Sequence, residues 1–292
     1  MSFVTRLITL TVQLGQGPFG GSSSNTLTLS GLRVNAELET VVGGAGAPVG
    51  AATAIIRVYG LSLNHINQLT KAGTVFASRF NLVAVQAGDA QAGMSLVFNG
   101  QFIDAYPDFS SQPNSPFIIS AVTGQQIAMK PVAPTSYPGT ADAATVMGTM
   151  AQNAGLGFEA NGVSVKLANP YYPGTIGTQI AACAKAANCY AAIDGVTNTL
   201  AVWPKTGSRG GTVPLISAAP GKMINYPAFQ QSGIILRTIF NPILKIGGQC
   251  QVKSRLAAAC GIWNITGLQH SLSCQEVDGP WETIVTAYPV GK

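Results

Sequence analysis

The strongest constraint on the fold is a change in the spacing of apolar residues near position 142. Before it, apolar and polar residues alternate, the pattern of strands with one buried face. Leu32, Val34, Ala36 and Leu38 interleave with Arg33, Asn35, Glu37 and Glu39. From Asp142 the period is helical: Ala143, Val146, Met147, Met150, Ala151 and Ala154 fall on one face, and Gly155 stands where the helix would end. Past about 209 the strand period returns. No single secondary-structure class accommodates both periods. The chain is therefore expected to be mainly β with an α+β part.

Within the first β-rich stretch, strand-like runs cover 53–59, 80–86, 94–103, 116–122 and 126–130, and the N-terminal residues 1–12 also alternate. Ser62 is suited to cap a short helix in which Leu63, Ile66 and Leu69 share a face. Phe98-Asn-Gly-Gln-Phe102 predicts a bend in the longest run. The middle section reads as two tandem helix–hairpin units. In the first, the 142–154 helix precedes a hairpin of 157–160 and 163–167 about Asn161-Gly162. In the second, Thr178 caps a helix carrying Ile180, Cys183, Ala184 and Ala187, and 189–193 pairs with 199–203 about Asp194-Gly195. The last section holds strands at 234–240, 249–254, 261–270 and 282–288. Residues 233–254 read as a strand, an Asn241-Pro242 corner, a Gly247-Gly248 turn and a second strand, with Ile239 in the strand core. Gly279-Pro280 breaks the chain, and Trp281 anchors the strand that follows.

Only 9% of the 292 residues are charged, against ~25% in ordinary globular domains, while 47% are hydrophobic. Such a surface is covered by small polar residues or by another protein. The net charge of +5 reflects 16 bases against 11 acids. The bases are scattered singly, with no stripe to follow a phosphate backbone. The cysteines, Cys183, Cys189, Cys250, Cys260 and Cys274, are odd in number and lack a Cys-x-x-Cys pair. Buried free thiols fit better than a disulfide framework or a zinc site made from Cys260, His270 and Cys274. The N-terminus lacks the apolar centre of a signal peptide, and no apolar run is long enough to span a membrane. Folding in a cytoplasm is expected.

A catalytic set is hard to assemble. His65 sits off the helix stripe and reads as an exposed surface residue. His270 precedes Cys274 and Glu276 without an orienting third group. Paired carboxylates for glycoside cleavage have three candidates: Glu37 with Glu39, Asp104 with Asp108, and Glu276 with Asp278. Strand-face and turn roles explain each pair better. The Gly-rich stretches at 15–18 and 43–46 lack the Lys-Ser/Thr of a phosphate loop. No catalytic residue, cofactor site or metal site is expected.

The ordered set of segments resembles the central hub proteins of contractile phage tail baseplates, tail-tube-like hubs of the late control D and spike-adaptor superfamily. Residues 75–104, with Phe98-Asn-Gly100 leading into a strand, are similar to the early strand pair of that family. Residues 142–158, ending Gly155-Leu-Gly-Phe158, resemble its helix, and 178–203 the helix and hairpin that follow. Residues 233–254, Gly261-Ile-Trp263 and Gly279-Pro-Trp-Glu282 resemble its C-terminal barrel. The resemblance implies two tail-tube-like β-barrel domains, 1–130 and 209–292, around an α/β domain at 131–208. It implies a homotrimer with pseudo-sixfold symmetry that joins a hexameric tail tube to a trimeric spike around the DNA channel. The implied partners are the tail tube protein and the central spike, with tape measure and baseplate wedge proteins as further ones. DNA is met only by passage. The implied location is the virion tail, assembled in the host cytoplasm. Arg33, Glu37 and Glu39 are polar-face candidates for a lumen or an interface. A tail-associated cell-wall hydrolase, or the hub of a non-phage contractile injection system, is the alternative.

Overall fold

In the computed structural model, residues 4–15, 18–19, 23–42, 49–70, 81–110, 112–218 and 222–290 are described. The Gly/Ala-rich stretch 43–48, residues 1–3 of the N-terminal run, 16–17 of the first Gly-rich stretch and 75–80 of the family-like strand pair lie outside them. Strands account for 51% of residues and helices for 15%, so the protein is mainly β with an α+β part. The chain divides into two compact units. Unit 1 comprises Met1–Glu39, Ala52–Thr123 and His270–Glu282; unit 2 comprises Thr40–Ala51, Gly124–Gln269 and Thr283–Lys292.

Unit 1 is built on β1 (Arg6–Gln13), β2 (Thr26–Leu29), β3 (Val34–Val41), β4 (Ala51–Tyr59), β5 (Leu82–Asp89), β6 (Gly93–Pro107) and β7 (Pro116–Val122), in sheet order β2-β1-β5-β6-β7-β4-β3. Alternation drives each strand. Ile8, Leu10 and Val12 of β1, Val34, Ala36 and Leu38 of β3, and Ala54, Ile56 and Val58 of β4 are buried, while their neighbours face outward. The long strand β6 carries two register shifts. Val97 has no partner on β5, and Ile103 has none on β7. Each extra residue bends the strand, so the bend predicted at 98–102 lies between two bulges. Ser62 caps α1 (Leu63–Leu69) by accepting from the His65 N–H. Of the expected apolar stripe only Leu69 is buried; Leu63 is 69% exposed, because this helix lies on the unit's surface.

Unit 2 begins with α2 (Gln125–Met129), which corrects the strand expected at 126–130. Next come β8 (Thr135–Ser136), β9 (Thr140–Asp142), α3 (Ala143–Ala154), β10 (Gly157–Ala160), β11 (Lys166–Ala168), β12 (Tyr171–Tyr172), α4 (Ile176–Ala186), β13 (Cys189–Asp194) and β14 (Thr199–Pro204). Asp142 caps α3 through the Ala144 N–H, and Gly155 ends it with φ of 77°, a left-handed conformation that glycine adopts without strain. The cap of α4 is Thr175, whose hydroxyl accepts from the Thr178 N–H, so Thr178 lies inside the helix and does not start it.

The second helix–hairpin unit is present: β13 and β14 pair antiparallel from Cys189↔Pro204 to Asp194↔Thr199. The first is not a hairpin. β10 pairs in parallel with β14, and β11 pairs with β9. Gly162 does take the positive φ the turn requires, but Phe158 and its neighbours gain a partner strand already lined with Leu200 and Val202. α3 and α4 cover one face of the β10-β14-β13 sheet, packing Val146, Met147, Met150, Ile180 and Cys183 against Leu200 and Val202. Each such side chain contributes about 1.5–3 kcal/mol of burial.

The remainder of unit 2 is a second sheet: β15 (Leu215–Ser217), β16 (Met223–Gln230), β17 (Gly233–Ile239), β18 (Gln249–Lys253), β19 (Gly261–Cys274) and β20 (Trp281–Pro289). The order is β16-β17-β20-β19, with β18 on β19 and β15 parallel to β18. β19 and β20 have residues in both units. Ile234, Leu236, Cys250, Val252, Ile265 and Val285 form its core. Ile239 is not among them. It is 42% exposed, because the inward face of β17 is carried by Ile234, Leu236 and Thr238. Trp281 is half-buried rather than a core anchor, with the Arg6 guanidinium 5.7 Å from its ring centroid.

Candidate functional site

The most built constellation of charged groups lies in unit 2 around Arg209. Its side chain is 1% exposed. β10 brings Glu159 and β13 brings Asp194 to it. Arg209 Nε donates to Glu159 Oε1 at 3.2 Å and Nη2 to Oε2 at 2.7 Å, a two-point grip. Nη2 also donates to Asp194 Oδ2 at 3.2 Å, and Nη1 to the Ile246 carbonyl at 3.4 Å. Asn161 completes the set: its amide donates to Glu159 Oε1 at 3.1 Å, and its Oδ1 accepts from the Gly210 N–H at 3.0 Å. The residue that read as a hairpin corner is thus a clamp.

The electrostatics favour the charged forms of Glu159 and Arg209. The Arg209 hydrogen bond holds the Glu159 carboxyl below its ordinary range, against the opposing effect of burial. Burial by itself lowers the Arg209 pKa, but the two carboxylates outweigh it and the net shift is upward. Both acids are committed to one cation, so neither is free for proton transfer. The cluster fastens the segment after β14 to the small sheet and to the 245–248 turn, where Arg209 N–H donates to the Gly247 carbonyl. Beside it Trp203 packs with Val42, Ala192, Ala201 and Ile246. A Cβ on Gly247 would stand 2.5 Å from the Trp203 ring, so only glycine fits there. A neighbouring cavity of about 160 Å³ is lined by Gly210, Thr212, Pro214, Lys245 and Gln249, among others. That volume holds a few water molecules or one side chain.

The sequence candidates fall elsewhere, and most are engaged in local contacts. Arg33 meets Glu276 at 2.6 Å and lies 4.3 Å over the Tyr59 ring. Two residues singled out for different reasons therefore pair with each other, through Arg33 Nη2. Glu37 pairs with Arg57 at 3.4 Å on the outer face, and Glu39 is exposed beside it. Asp104 accepts from the Ala105 N–H. Asp108 accepts from the Ser110 hydroxyl and N–H, which lower its pKa, a turn role. Asp278 sits at φ of 55° in the turn before Gly279.

His65 is half-buried rather than exposed. His270 is buried, and desolvation pushes its pKa down to about 4, so it is neutral at pH 7. Cys183, Cys189, Cys250 and Cys274 are buried thiols; burial raises the pKa of Cys183 and Cys189 to about 11 and that of Cys250 to about 12. Cys260 is exposed and its thiol donates to the Ser254 carbonyl. Among the described residues, no three His, Cys, Asp or Glu side chains gather as a metal-ligand set, and no helix is long and apolar enough to cross a membrane. Sequence reasoning missed the Arg209 cluster. The available signal was a lone arginine within Gly207-Ser-Arg-Gly-Gly211 in a chain where acids are scarce.

The geometry is that of a protein whose charges hold its fold together. The sequence pattern of the family described as "Baseplate hub gp41" matches residues 23–281. The chain belongs to this baseplate hub family. No curated protein matches the hub chain in sequence. Its fold is shared by the 43 kDa tail protein of prophage MuSo2 from Shewanella oneidensis, with 11% identity, 98% of this chain and 99% of that one covered, and a TM-score of 0.57. A tail protein from Neisseria meningitidis MC58 has 9% identity, 97% of each chain covered and a TM-score of 0.60. An Escherichia coli component of the type VI secretion system, itself described as structurally similar to the T4 tail proteins gp27 and gp5, has 11% identity, 89% and 74% covered and a TM-score of 0.56. The family match gives the chain a structural baseplate hub role.

Proposed function

We propose that three copies of this hub chain close into a pseudo-sixfold ring that joins the hexameric tail tube to the trimeric spike and surrounds the DNA channel. Residues 1–130 and 209–292 supply its tail-tube-like barrels, and 131–208 the α/β domain between them. The observation that carries this reading is the hub-family match over residues 23–281. The sparse charge of the chain supports it, since a surface with 9% charged residues suits burial against neighbours. The tail tube protein and the spike are the direct partners, and tape measure and wedge proteins further ones. DNA passes through without a dedicated site. The particle is assembled in the host cytoplasm and the chain acts in the virion tail. No enzymatic activity is assigned, because Glu276 and both acids of the Arg209 cluster are bound by arginines. The shared fold with the type VI component favours, as the second reading, a hub of a related injection device.

Light scattering with negative-stain microscopy tests the ring. Particles of three times 30.0 kDa with a central hole are expected. A chain that stays a monomer at high concentration, with or without the spike, overturns the proposal. Peptidoglycan lysis in a zymogram that disappears on Glu276→Ala or Asp278→Ala would overturn the purely structural role.

A further inference from the structure

The turn between β19 and β20 is a braced knob on unit 1 with an apolar tip. Ser273 closes its neck: the Ser273 N–H and hydroxyl both donate to the Pro280 carbonyl. Two arginines clamp its sides. Arg33 grips Glu276 at 2.6 Å, and Arg6 Nη1 donates to the Gly279 carbonyl at 2.8 Å. Gln275 at φ of 56° and Asp278 at φ of 55° turn the chain in the left-handed region. These fixings leave Val277 outside, 90% exposed, with the exposed Asp278 beside it. No other large hydrophobic side chain among the described residues is as exposed. A tip held this way has little freedom left to lose on docking.

Unit 2 carries a hole of matching size and chemistry. The cleft of about 160 Å³ beside the Arg209 cluster has Ile243 and Pro214 as its apolar lining and Lys245 as its cation. A cavity of this size admits a group as large as benzene, and so a valine side chain. Ile243 and Lys245 are both exposed. Lys245 acts on Glu159 from a distance, but Arg209 already holds both oxygens of that carboxylate. The other acids of unit 2 are paired as well, Asp142 with Lys166 and Asp194 with Arg209. Unit 2 therefore offers Lys245 no carboxylate of its own.

We propose that the 275–279 turn of one copy of the chain plugs the Lys245 cleft of a second copy, with Val277 against Ile243 and Pro214 and Asp278 paired with Lys245. This rests on the ring reading and names one contact that closes it. Knob and hole lie on different units, so the contact is head-to-tail, and repeated head-to-tail contacts close into rings. The valine supplies apolar burial. The charge pair at the rim sets register and encounter rate, and screening confines its effect to low and moderate salt.

Light scattering across a concentration series at low salt compares four samples: the wild type, Val277→Asp, Lys245→Glu, and an equal mixture of the two variants. Both positions are exposed, and circular dichroism checks the folds. Val277→Asp is expected to weaken association at least about tenfold, as the loss of one buried valine would. Lys245→Glu should weaken it similarly, because it meets Asp278 with like charge. The mixture should recover dimers of twice 30.0 kDa and stop there, since the intact turn of Lys245→Glu fits the intact cleft of Val277→Asp and no second good contact remains. Variants that associate like the wild type, or a mixture no better than either variant alone, overturn this inference and leave the ring reading intact. A wild type that stays monomeric with or without the spike overturns both. A Val277→Asp chain that associates normally but no longer binds the spike also overturns it and assigns the turn to the spike.

Discussion

Unit 1 and unit 2 each rely on an arginine, and the two arginines work under different physics. Arg33 of unit 1 reaches Glu276 through solvent-accessible space, with side chains 34% and 25% exposed, and stacks on Tyr59. Arg209 of unit 2 is 1% exposed and has two carboxylates and a carbonyl as partners. Water reaches both members of the first pair, whereas in the second it reaches the carboxylates in part and not the buried guanidinium. The exposed pair is dispensable, while the buried set can only be removed as a whole. Arg209→Ala leaves Glu159 and Asp194 with uncompensated charge and is expected to cost about 3–5 kcal/mol. Urea denaturation read by Trp203 fluorescence measures this. Arg209→Leu combined with Glu159→Gln and Asp194→Asn should recover a large part of the loss, because no unpaired charge remains. A single variant as stable as the wild type would break the contrast between the units.

Acid separates the units a second way. Both histidines of the chain, His65 and His270, belong to unit 1. In the unfolded chain His270 titrates near 6.5; in the fold, burial pushes it down to about 4. Between these values the unfolded chain binds a proton that the folded chain does not. Stability is therefore complete above pH 6.5, falls as pH drops toward 4, and then levels, with a loss on the order of 3 kcal/mol. Glu159 in unit 2 has its folded pKa lowered from 4.5, so its contribution is intact above pH 4.5 and is lost only as pH falls below it. Unit 1 is expected to loosen first on acidification, visible as faster amide exchange in β19 residues 270–274 at pH 5 than at pH 7. His270→Gln should flatten that dependence. Equal acid sensitivity in both units would mean that His270 does not govern it.

What the sequence made legible follows from which interactions are local. Asp142, Gly155 and the Asp194 turn were readable because caps and short hairpins are decided by neighbouring residues: the Asp142 carboxylate binds the Ala144 N–H, and Asp194 Oδ1 binds the Val196 N–H. Asn161-Gly162 carried the same turn signal as Asp194-Gly195 and went another way. Its outcome was set by β14, reached through α4 and β13, and by Gly210, far along the chain. Ile239 failed for a related reason. A run such as Gly233–Ile239 fixes a two-residue period, but which face is inward depends on the sheet it joins. The Arg209 cluster unites positions 159, 194 and 209 from three elements, and no window of sequence contains it. The family resemblance succeeded where these failed because it rested on the order of many segments, which tolerates a wrong pairing within any one of them.

The smallest expected effect returns to Arg33. An ion pair in partial contact with water is worth about 0–1 kcal/mol, and a cation over an aromatic ring at an exposed site about 0.5–1 kcal/mol. Arg33→Ala is therefore expected to destabilise unit 1 by about 1 kcal/mol, and Glu276→Gln by less, because the stacking on Tyr59 survives. Raising salt should erase the Glu276→Gln effect and spare most of the Arg33→Ala effect, since screening acts on the ion pair and not on the ring contact. The same salt series should change the Arg209→Ala effect less, because the guanidinium itself is 1% exposed. A loss above about 3 kcal/mol for Arg33→Ala would place Arg33 among the buried anchors and remove the distinction between the two units.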